Sequence, residues 1–178
     1  MSVIRGYAEE RKDTEYVEYI NKVQAELGKS LSDCWDEDRF IRGIRENGEV
    51  VGAKHDPEAN MWLNPQSWSV ISGFASKEQA ETAMNSVHEI LNTPYGVKLM
   101  EPPYVDHYFD GALMHIFNPD TKENGGIFSQ TQGWAILAEA LMGHGDRAFE
   151  YFLESSPANM NDKAEIRVLE PYVHGQFT

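Results

Sequence analysis

The chain has 178 residues, of which 41% are hydrophobic and 25% are charged, and its formal net charge is −14. This composition is typical of a globular domain long enough to bury one core, so we expect a single domain over residues 1–178. The negative charge makes nucleic acid and anionic membrane surfaces unsuitable partners. Cys34 is the only cysteine, which excludes an intrachain disulfide and fits a reducing compartment. Because there is no signal peptide and no apolar run of about 20 residues, we expect a cytoplasmic protein.

Two helical patterns open the chain. Residues 1–10 have the pattern of the end of a helix with no capping residue before it, which predicts that the native polypeptide begins upstream. Asp13 or Thr14 is a suitable cap for a second helix, which is amphipathic. Its apolar residues recur at spacings of three and four, at Tyr16, Ile20, Val23, Leu27 and Leu31. We therefore expect this helix to pack on one side only.

A small β-hairpin is predicted over residues 39–51. Asn47-Gly48 lies between two short strand-like stretches, and this dipeptide supplies the positive φ angles that a tight reversal needs. In a mostly helical chain, such a hairpin is an elaboration on a loop.

Two further helices follow the hairpin. Asn64 and Pro65 mark the start of a short helix that ends at Gly73, because a proline in the first turn loses no hydrogen bond. Ser76 and Gln79 have the spacing of a capping box, which predicts the start of the next helix. The apolar stripe of that helix consists of Ala80, Ala83, Met84, Val87, Ile90 and Leu91.

Residues 97–121 form a long connection without regular periodicity, rich in proline and aromatic side chains. Long connections in compact domains are often functional, so this segment is a candidate wall beside a ligand. The alternative is a loop that its own side chains fold over hydrophobic surface.

The segment from Lys122 to Trp134 is the strongest candidate for a binding site. Its Lys, Glu, Asn and Gln side chains form a set of donors and acceptors that suits sugar hydroxyls, and its glycines permit close approach or positive φ. Trp134 offers a flat apolar face for a pyranose ring. The alternative is a polar loop that enters a helix at Thr131 and places Trp134 in the core.

The last predicted helices are joined by glycine-containing loops. Thr131 caps a helix that ends at Gly143, and Asp146 caps another that carries Phe149 and Phe152 on one side. The residues expected to face inward from the first of these are Trp134, Leu137, Ala138 and Leu141. Helix after helix joined by short loops is typical of helical-hairpin assemblies.

Five segments carry a resemblance to a known family: 64–73 (NPQSWSVISG), 122–129 (KENGGIFS), 131–134 (TQGW), 143–147 (GHGDR) and 170–176 (EPYVHGQ). In this order they resemble the inverting β-glycoside phosphorylases of glycoside hydrolase family 94, formerly glycosyltransferase family 36. That family includes cellobiose, cellodextrin, laminaribiose and chitobiose phosphorylases. The resemblance runs over nearly the whole chain.

The resemblance implies a mainly α fold in which this chain forms about half, the C-terminal part, of an (α/α)6 barrel. It implies cleavage of a β-glycosidic bond in cellobiose- or cellodextrin-type sugars by inorganic phosphate, with inversion, giving an α-sugar 1-phosphate. One catalytic acid suffices, because the attacking phosphate oxygen is already anionic. Phosphate is a co-substrate, and no cofactor is implied. Because half a ring exposes faces that should be buried, we expect association with the missing part of the barrel or with a second copy.

The resemblance assigns sugar binding to Lys122 on the acceptor side and to Glu123 and Gln176 on the donor side. Many members have a phosphate-contacting His at the position of Gln130, where Gln can donate a hydrogen bond but carries no charge. The family's catalytic Asp precedes the matching region and its phosphate-binding Thr-Gly pair follows it. No catalytic residue is therefore assigned within this chain.

Two alternatives to this interpretation stay open. One is a carbohydrate-binding or interaction module derived from the family, which binds sugar without turnover. The other is a self-sufficient enzyme that uses Glu123 or Asp110 as its acid. The six histidines show no metal-binding spacing, so no metal site is expected.

Overall fold

A computed structural model describes residues 1–106, 114–170 and 172–177. Helices are the main elements of this part of the chain: α1 (Ser2–Glu10), α2 (Thr14–Ser32), α3 (Leu63–Ile71), α4 (Lys77–Leu91), α5 (Ser129–Met142), α6 (Gly145–Ser155) and the short α7 (Ala164–Arg167). Strands of two residues each lie between them: β1 (Trp35–Asp36), β2 (Arg39–Phe40), β3 (Gly43–Ile44), β4 (Val50–Val51), β5 (Met61–Trp62), β6 (Asn92–Thr93), β7 (Gly96–Val97) and β8 (Met100–Glu101). The mainly α class is as predicted, and the (α/α)6 barrel stays a prediction.

The chain divides into two compact units, Met1–Trp35 and Asp36–Thr178. In the first unit, Asp13 caps α2 as predicted, because its side chain accepts a hydrogen bond from the Tyr16 amide at 3.1 Å. Ile20 is buried, whereas Leu27 and Leu31 on the same stripe are exposed. The single domain expected over residues 1–178 stays a prediction.

The β-hairpin is confirmed in the second unit between β3 and β4, whereas Arg39–Phe40, at the start of the predicted range, pair with β1 instead. β3 and β4 pair antiparallel, with Gly43 opposite Val51, and the Gly48 amide donates to the Arg45 carbonyl at 2.9 Å. Gly48 alone takes a positive φ, +84°, so the expectation that Asn47 also takes one is wrong. The reversal uses three residues rather than two, a geometry that needs only one left-handed residue at its end.

Helices α3 and α4 lie close to where the sequence predicts them. The helix α3 begins at Leu63, one residue before the predicted cap Asn64, and no side chain caps it. The capping box of α4 is confirmed: Ser76 Oγ accepts from the Gln79 amide and Gln79 Oε1 accepts from the Ser76 amide, both at 3.1 Å. Its predicted stripe is buried except for Ile90, which is half-buried.

The core of the second unit lies where α3, α4, α5 and α6 pack together. It combines apolar residues from these helices with residues of β5 and β7, namely Met61, Leu63, Met84, Val87, Leu91, Val97, Ala135, Ala138 and Tyr151. Antiparallel pairing of Met61 with Glu101 and Trp62 with Met100 ties β5, just before α3, to β8. No helix within the described ranges is long and apolar enough to cross a bilayer.

The inward face predicted for α5 is partly wrong. Ala138 is buried as expected, but Leu137 and Leu141 are 47% and 60% exposed. The buried face instead carries small and polar residues, because α5 packs against α3 and α6 through Ala135 and Ala138. The fully buried Glu139 is tolerated there because His144 and Arg147 contact its two carboxylate oxygens at 2.7 and 3.3 Å. Helix α6 begins at Gly145, with His144 rather than Asp146 at its cap position.

Candidate functional site

A cleft of about 230 Å³ opens in the second unit between the N-termini of α3 and α5. The loop 121–126 and the hairpin complete its walls. Ten side chains line it: Arg42, Trp62, Asn64, Leu99, Met114, Glu123, Phe128, Gln130, Thr131 and Trp134. The cleft therefore combines aromatic surface with charged and amide groups, as sugar-binding sites do.

The floor of the cleft belongs to a second hydrophobic cluster. It comprises Ala59, Trp62, Leu99, Met100, Tyr104 and Phe128. Burial, followed by the charges of Asp56 and Glu58, raises the pKa of Tyr104 to about 12, so its phenol is protonated at neutral pH. The Trp62 indole donates to the Ala59 carbonyl at 2.7 Å, which fixes the ring that faces the cleft.

Asn124 holds the loop 121–126 in place. Its side chain is fully buried and makes three hydrogen bonds to the main chain: it accepts from the Tyr104 amide at 2.7 Å and donates to the Tyr104 and Phe117 carbonyls at 2.9 and 3.0 Å. The sequence suggested Asn124 as part of a sugar-binding set. This is wrong, because every donor of its amide is used inside the protein.

The glycines of the loop serve its own packing. Gly125 has a φ of +91°, and a Cβ on Gly126 would lie 2.6 Å from both the amide nitrogen and the carbonyl oxygen of Lys122. The Gly126 amide donates to that same carbonyl at 2.9 Å. A side chain at position 126 would thus push the Lys122–Glu123 backbone away from the position that the loop gives it.

An ion-pair group anchors the start of the loop. Lys98 Nζ lies 2.6 Å from Asp120 Oδ1 and also pairs with Glu101. Burial opposes the charge on Lys98, but the hydrogen bonds to Asp120 and Glu101 outweigh it and raise the pKa of this amine. These ion pairs hold Asp120, the residue before Thr121, close to β8.

The N-terminus of α5 is fixed by Gln132. This buried amide accepts from the Val97 amide at 2.7 Å and donates to the Val97 and Phe128 carbonyls, both at 2.9 Å. Helix α5 begins at Ser129, so the predicted cap Thr131 lies in its first turn and donates to the Phe128 carbonyl at 3.0 Å. Gln132, like Asn124, is an internal brace rather than a ligand-facing group.

The predicted site residues lie as follows. Glu123 and Gln130 are exposed and line the same cleft. Lys122 is exposed on the adjoining backbone, and its Nζ lies 5.0 Å from the centroid of the Phe117 ring. The Gln176 carbonyl accepts from the Ser129 amide at 2.9 Å, which brings the backbone of Gln176 beside the residue that precedes Gln130.

Trp134 is neither a core residue nor fully exposed. Its ring is half-buried, lines the cleft and meets Trp68 edge-on with centroids 5.8 Å apart. A face partly open to the cleft fits stacking of a pyranose ring. Residues 107–113, within the aromatic wall predicted over residues 97–121, lie outside the described residues. Asp110, the alternative acid, is among them.

Three residues of the cleft were missed from the sequence. Arg42 follows the strand β2, Trp62 ends β5, and Asn64 lies in the first turn of α3. The Oδ1 atom of Asn64 is buried and has no hydrogen-bond partner among the described residues. Neither the spacing nor the composition of these segments signals a site, since Asn64 matches an ordinary helix start.

Comparisons with known proteins identify a matching family and several relatives. The family model "Glycosyl hydrolase 94 superfamily, catalytic domain" matches residues 3–178. N,N'-diacetylchitobiose phosphorylase of Vibrio furnissii is 37% identical over 164 residues, which are 89% of this chain and 20% of that protein. Cellobionic acid phosphorylase of Neurospora crassa is 36% identical over 124 residues, or 69% of this chain and 16% of that protein. The chain thus spans about a fifth of the length of the curated relatives it matches.

Proposed function

Because the chain belongs to the glycosyl hydrolase 94 superfamily, we propose that it forms the sugar-binding part of the catalytic domain of a β-glycoside phosphorylase. The observation that carries the proposal is the cleft in which Glu123, Gln130 and the Trp134 ring meet. The relatives named for chitobiose and cellobionic acid support a disaccharide as the substrate class.

Each proposed contact follows from the chemistry of its side chain. The Glu123 carboxylate accepts hydrogen bonds from hydroxyls of the donor sugar, and the Lys122 ammonium donates to the acceptor sugar. Gln176 donates to the donor sugar from the segment next to α5. Gln130 donates a hydrogen bond to phosphate, and because its amide is neutral it orients the phosphate without adding positive charge.

The proposed reaction is an inverting phosphorolysis. A phosphate oxygen attacks the anomeric carbon, the β-glycosidic bond breaks, and a carboxylic acid gives its proton to the departing sugar oxygen. The products are an α-sugar 1-phosphate and the shortened sugar. We propose that this acid and most of the phosphate site come from a part of the protein outside these 178 residues, and that the remaining barrel helices cover exposed apolar side chains such as Leu137 and Leu141.

Titration calorimetry of this chain with cellobiose and with chitobiose tests the sugar site. We expect binding that Glu123→Gln weakens at least about tenfold, because a charged acceptor of sugar hydroxyls is lost. Glu89→Gln, which removes an exposed carboxylate from α4, is the matched control and leaves binding unchanged. Absence of sugar binding, or equal affinity of wild type and the Glu123 variant, contradicts the proposal.

A reconstitution experiment separates the enzyme from a binding module. The remainder of the catalytic domain is added to this chain with disaccharide and phosphate, and sugar 1-phosphate is measured. The proposal predicts phosphate-dependent release that Glu123→Gln lowers at least about tenfold at low disaccharide concentration. Sugar binding without any release in the reconstituted domain would favour a module that binds carbohydrate and does not cleave it.

A further inference from the structure

The hairpin places a cation at the cleft in a fixed position. Arg42 lies between β2 and β3, and its amide donates to the Val51 carbonyl at 2.8 Å, which ties its backbone to the opposite strand. Its guanidinium carbon lies 5.2 Å from the centroid of the Trp62 ring. A cation–π contact at this distance holds a guanidinium group over the face of an indole.

Gly52 makes this contact possible. It has a φ of +77°, and a Cβ at this position would lie 2.7 Å from Arg42 Cβ and 2.9 Å from Trp62 Cδ1. The absence of a side chain therefore lets the hairpin bring Arg42 onto the buried indole. The arrangement is one that glycine permits and a larger residue would prevent.

The edge of the Arg42 guanidinium is available to a ligand. The contact with Trp62 is not a hydrogen bond, and the five N–H donors of the guanidinium lie in the plane of the group. Within the described ranges, no carboxylate lies within ion-pair distance of Arg42 and no side-chain or main-chain oxygen accepts from it. Arginines in such clefts bind carboxylate or phosphate oxygens in a bidentate manner.

Arg42 is the main source of positive charge for an anion that binds in the cleft. The chain carries a net charge of −14, so its average field repels anions and any anion site needs a local cation. Among the residues that line the cleft, Arg42 is the cation and Glu123 is the anion. The N-termini of α3 and α5 also border the cleft, and the positive ends of their dipoles act in the same direction as Arg42.

We propose that Arg42, held against Trp62 by Gly52, binds an oxyanion of the ligand in this cleft. The oxyanion is either a carboxylate on an acidic sugar or inorganic phosphate, which present the same pair of oxygens to a guanidinium. In either case Arg42 provides the positive charge that the neutral Gln130 amide lacks. This inference rests on the proposed sugar site, and it adds a selectivity for anionic ligands.

Calorimetry with a matched set of ligands tests the inference on the chain itself. Cellobiose, cellobionate and inorganic phosphate are titrated at fixed ionic strength into the wild type and into Arg42→Gln. Arg45→Gln is the control, because it removes the same charge from the same hairpin without changing the lining of the cleft. Circular dichroism at each step verifies that the variants are folded.

If Arg42 binds the carboxylate of an acidic sugar, we expect Arg42→Gln to weaken the binding of cellobionate at least about tenfold and to leave the binding of cellobiose and phosphate unchanged. If Arg42 binds phosphate, we expect the same loss of affinity for phosphate alone. The inference is overturned if neither anion binds the wild type, or if Arg42→Gln and Arg45→Gln have equal affinity for both anions. Anion binding that depends on Arg42 without any cellobiose binding contradicts the proposed sugar site instead.

Discussion

Replacing Asn124 by alanine tests whether the loop that carries Lys122 and Glu123 is held by one buried amide. The substitution removes three hydrogen bonds and leaves the Tyr104 amide and the Tyr104 and Phe117 carbonyls without these partners in a fully buried place. At about 1 kcal/mol for each bond, the free energy of unfolding falls by about 3 kcal/mol. For a chain of this size, that loss lowers the Tm by about 6–12 °C.

Thermal unfolding followed by circular dichroism measures this loss, and calorimetry with a disaccharide measures its effect on the site. Asn118→Ala is the matched control, because Asn118 is an exposed residue of the same segment. We expect the control to keep the Tm and the sugar affinity of the wild type, whereas Asn124→Ala has a lower Tm and a weaker affinity. A Tm for Asn124→Ala within about 2 °C of the wild type would refute the reasoning.

Gly126→Ala is expected to lower the stability of the fold, and Glu154→Gln is expected to raise it at neutral pH. Gly126→Ala brings a Cβ to 2.6 Å from the backbone of Lys122, so we expect a loss of about 1–3 kcal/mol and weaker sugar binding, whereas Gly133→Ala meets nothing within 4 Å and keeps the Tm or raises it. Equal Tm values for these two variants contradict the packing argument. Burial raises the pKa of Glu154, so its ionised form destabilises the fold at neutral pH. Glu154→Gln should therefore raise the Tm at pH 7, and the gain should vanish as the pH falls below the unfolded-state pKa of about 4.3. A gain that is the same at pH 7 and pH 4 contradicts this assignment.

Patterns that depend on neighbouring residues were predictable from the sequence. The Asp13 cap, the capping box of Ser76 and Gln79 and the left-handed glycine at the end of α5 all form within one helical turn. Their geometry is determined by local hydrogen bonds. The sequence therefore located these helix ends to within two residues.

Contacts between distant segments were not predictable in the same way. The amides of Asn124 and Gln132 stand in a motif that suits a ligand, yet their partners Tyr104 and Val97 lie 20 and 35 residues away. The choice between an internal brace and a ligand contact depends on which backbone groups the fold brings near. Only the three-dimensional arrangement reveals that.

The buried face of α5 was mispredicted for a related reason. Apolar periodicity selected Leu137 and Leu141, whereas α3 and α6 pack on the face that carries Ala135, Ala138 and a paired Glu139. Small residues permit close helix packing, and an ion pair offsets the cost of burying a carboxylate. Neither effect is detected by counting apolar residues at helical spacing.

A crystal structure of this chain with a bound β-linked disaccharide tests the central claim most directly. We predict that the sugar occupies the cleft between the loop 121–126 and the start of α5, with a hydroxyl within hydrogen-bond distance of the Glu123 carboxylate and a ring against Trp134. A disaccharide bound on another surface, with the cleft filled only by water, would contradict it.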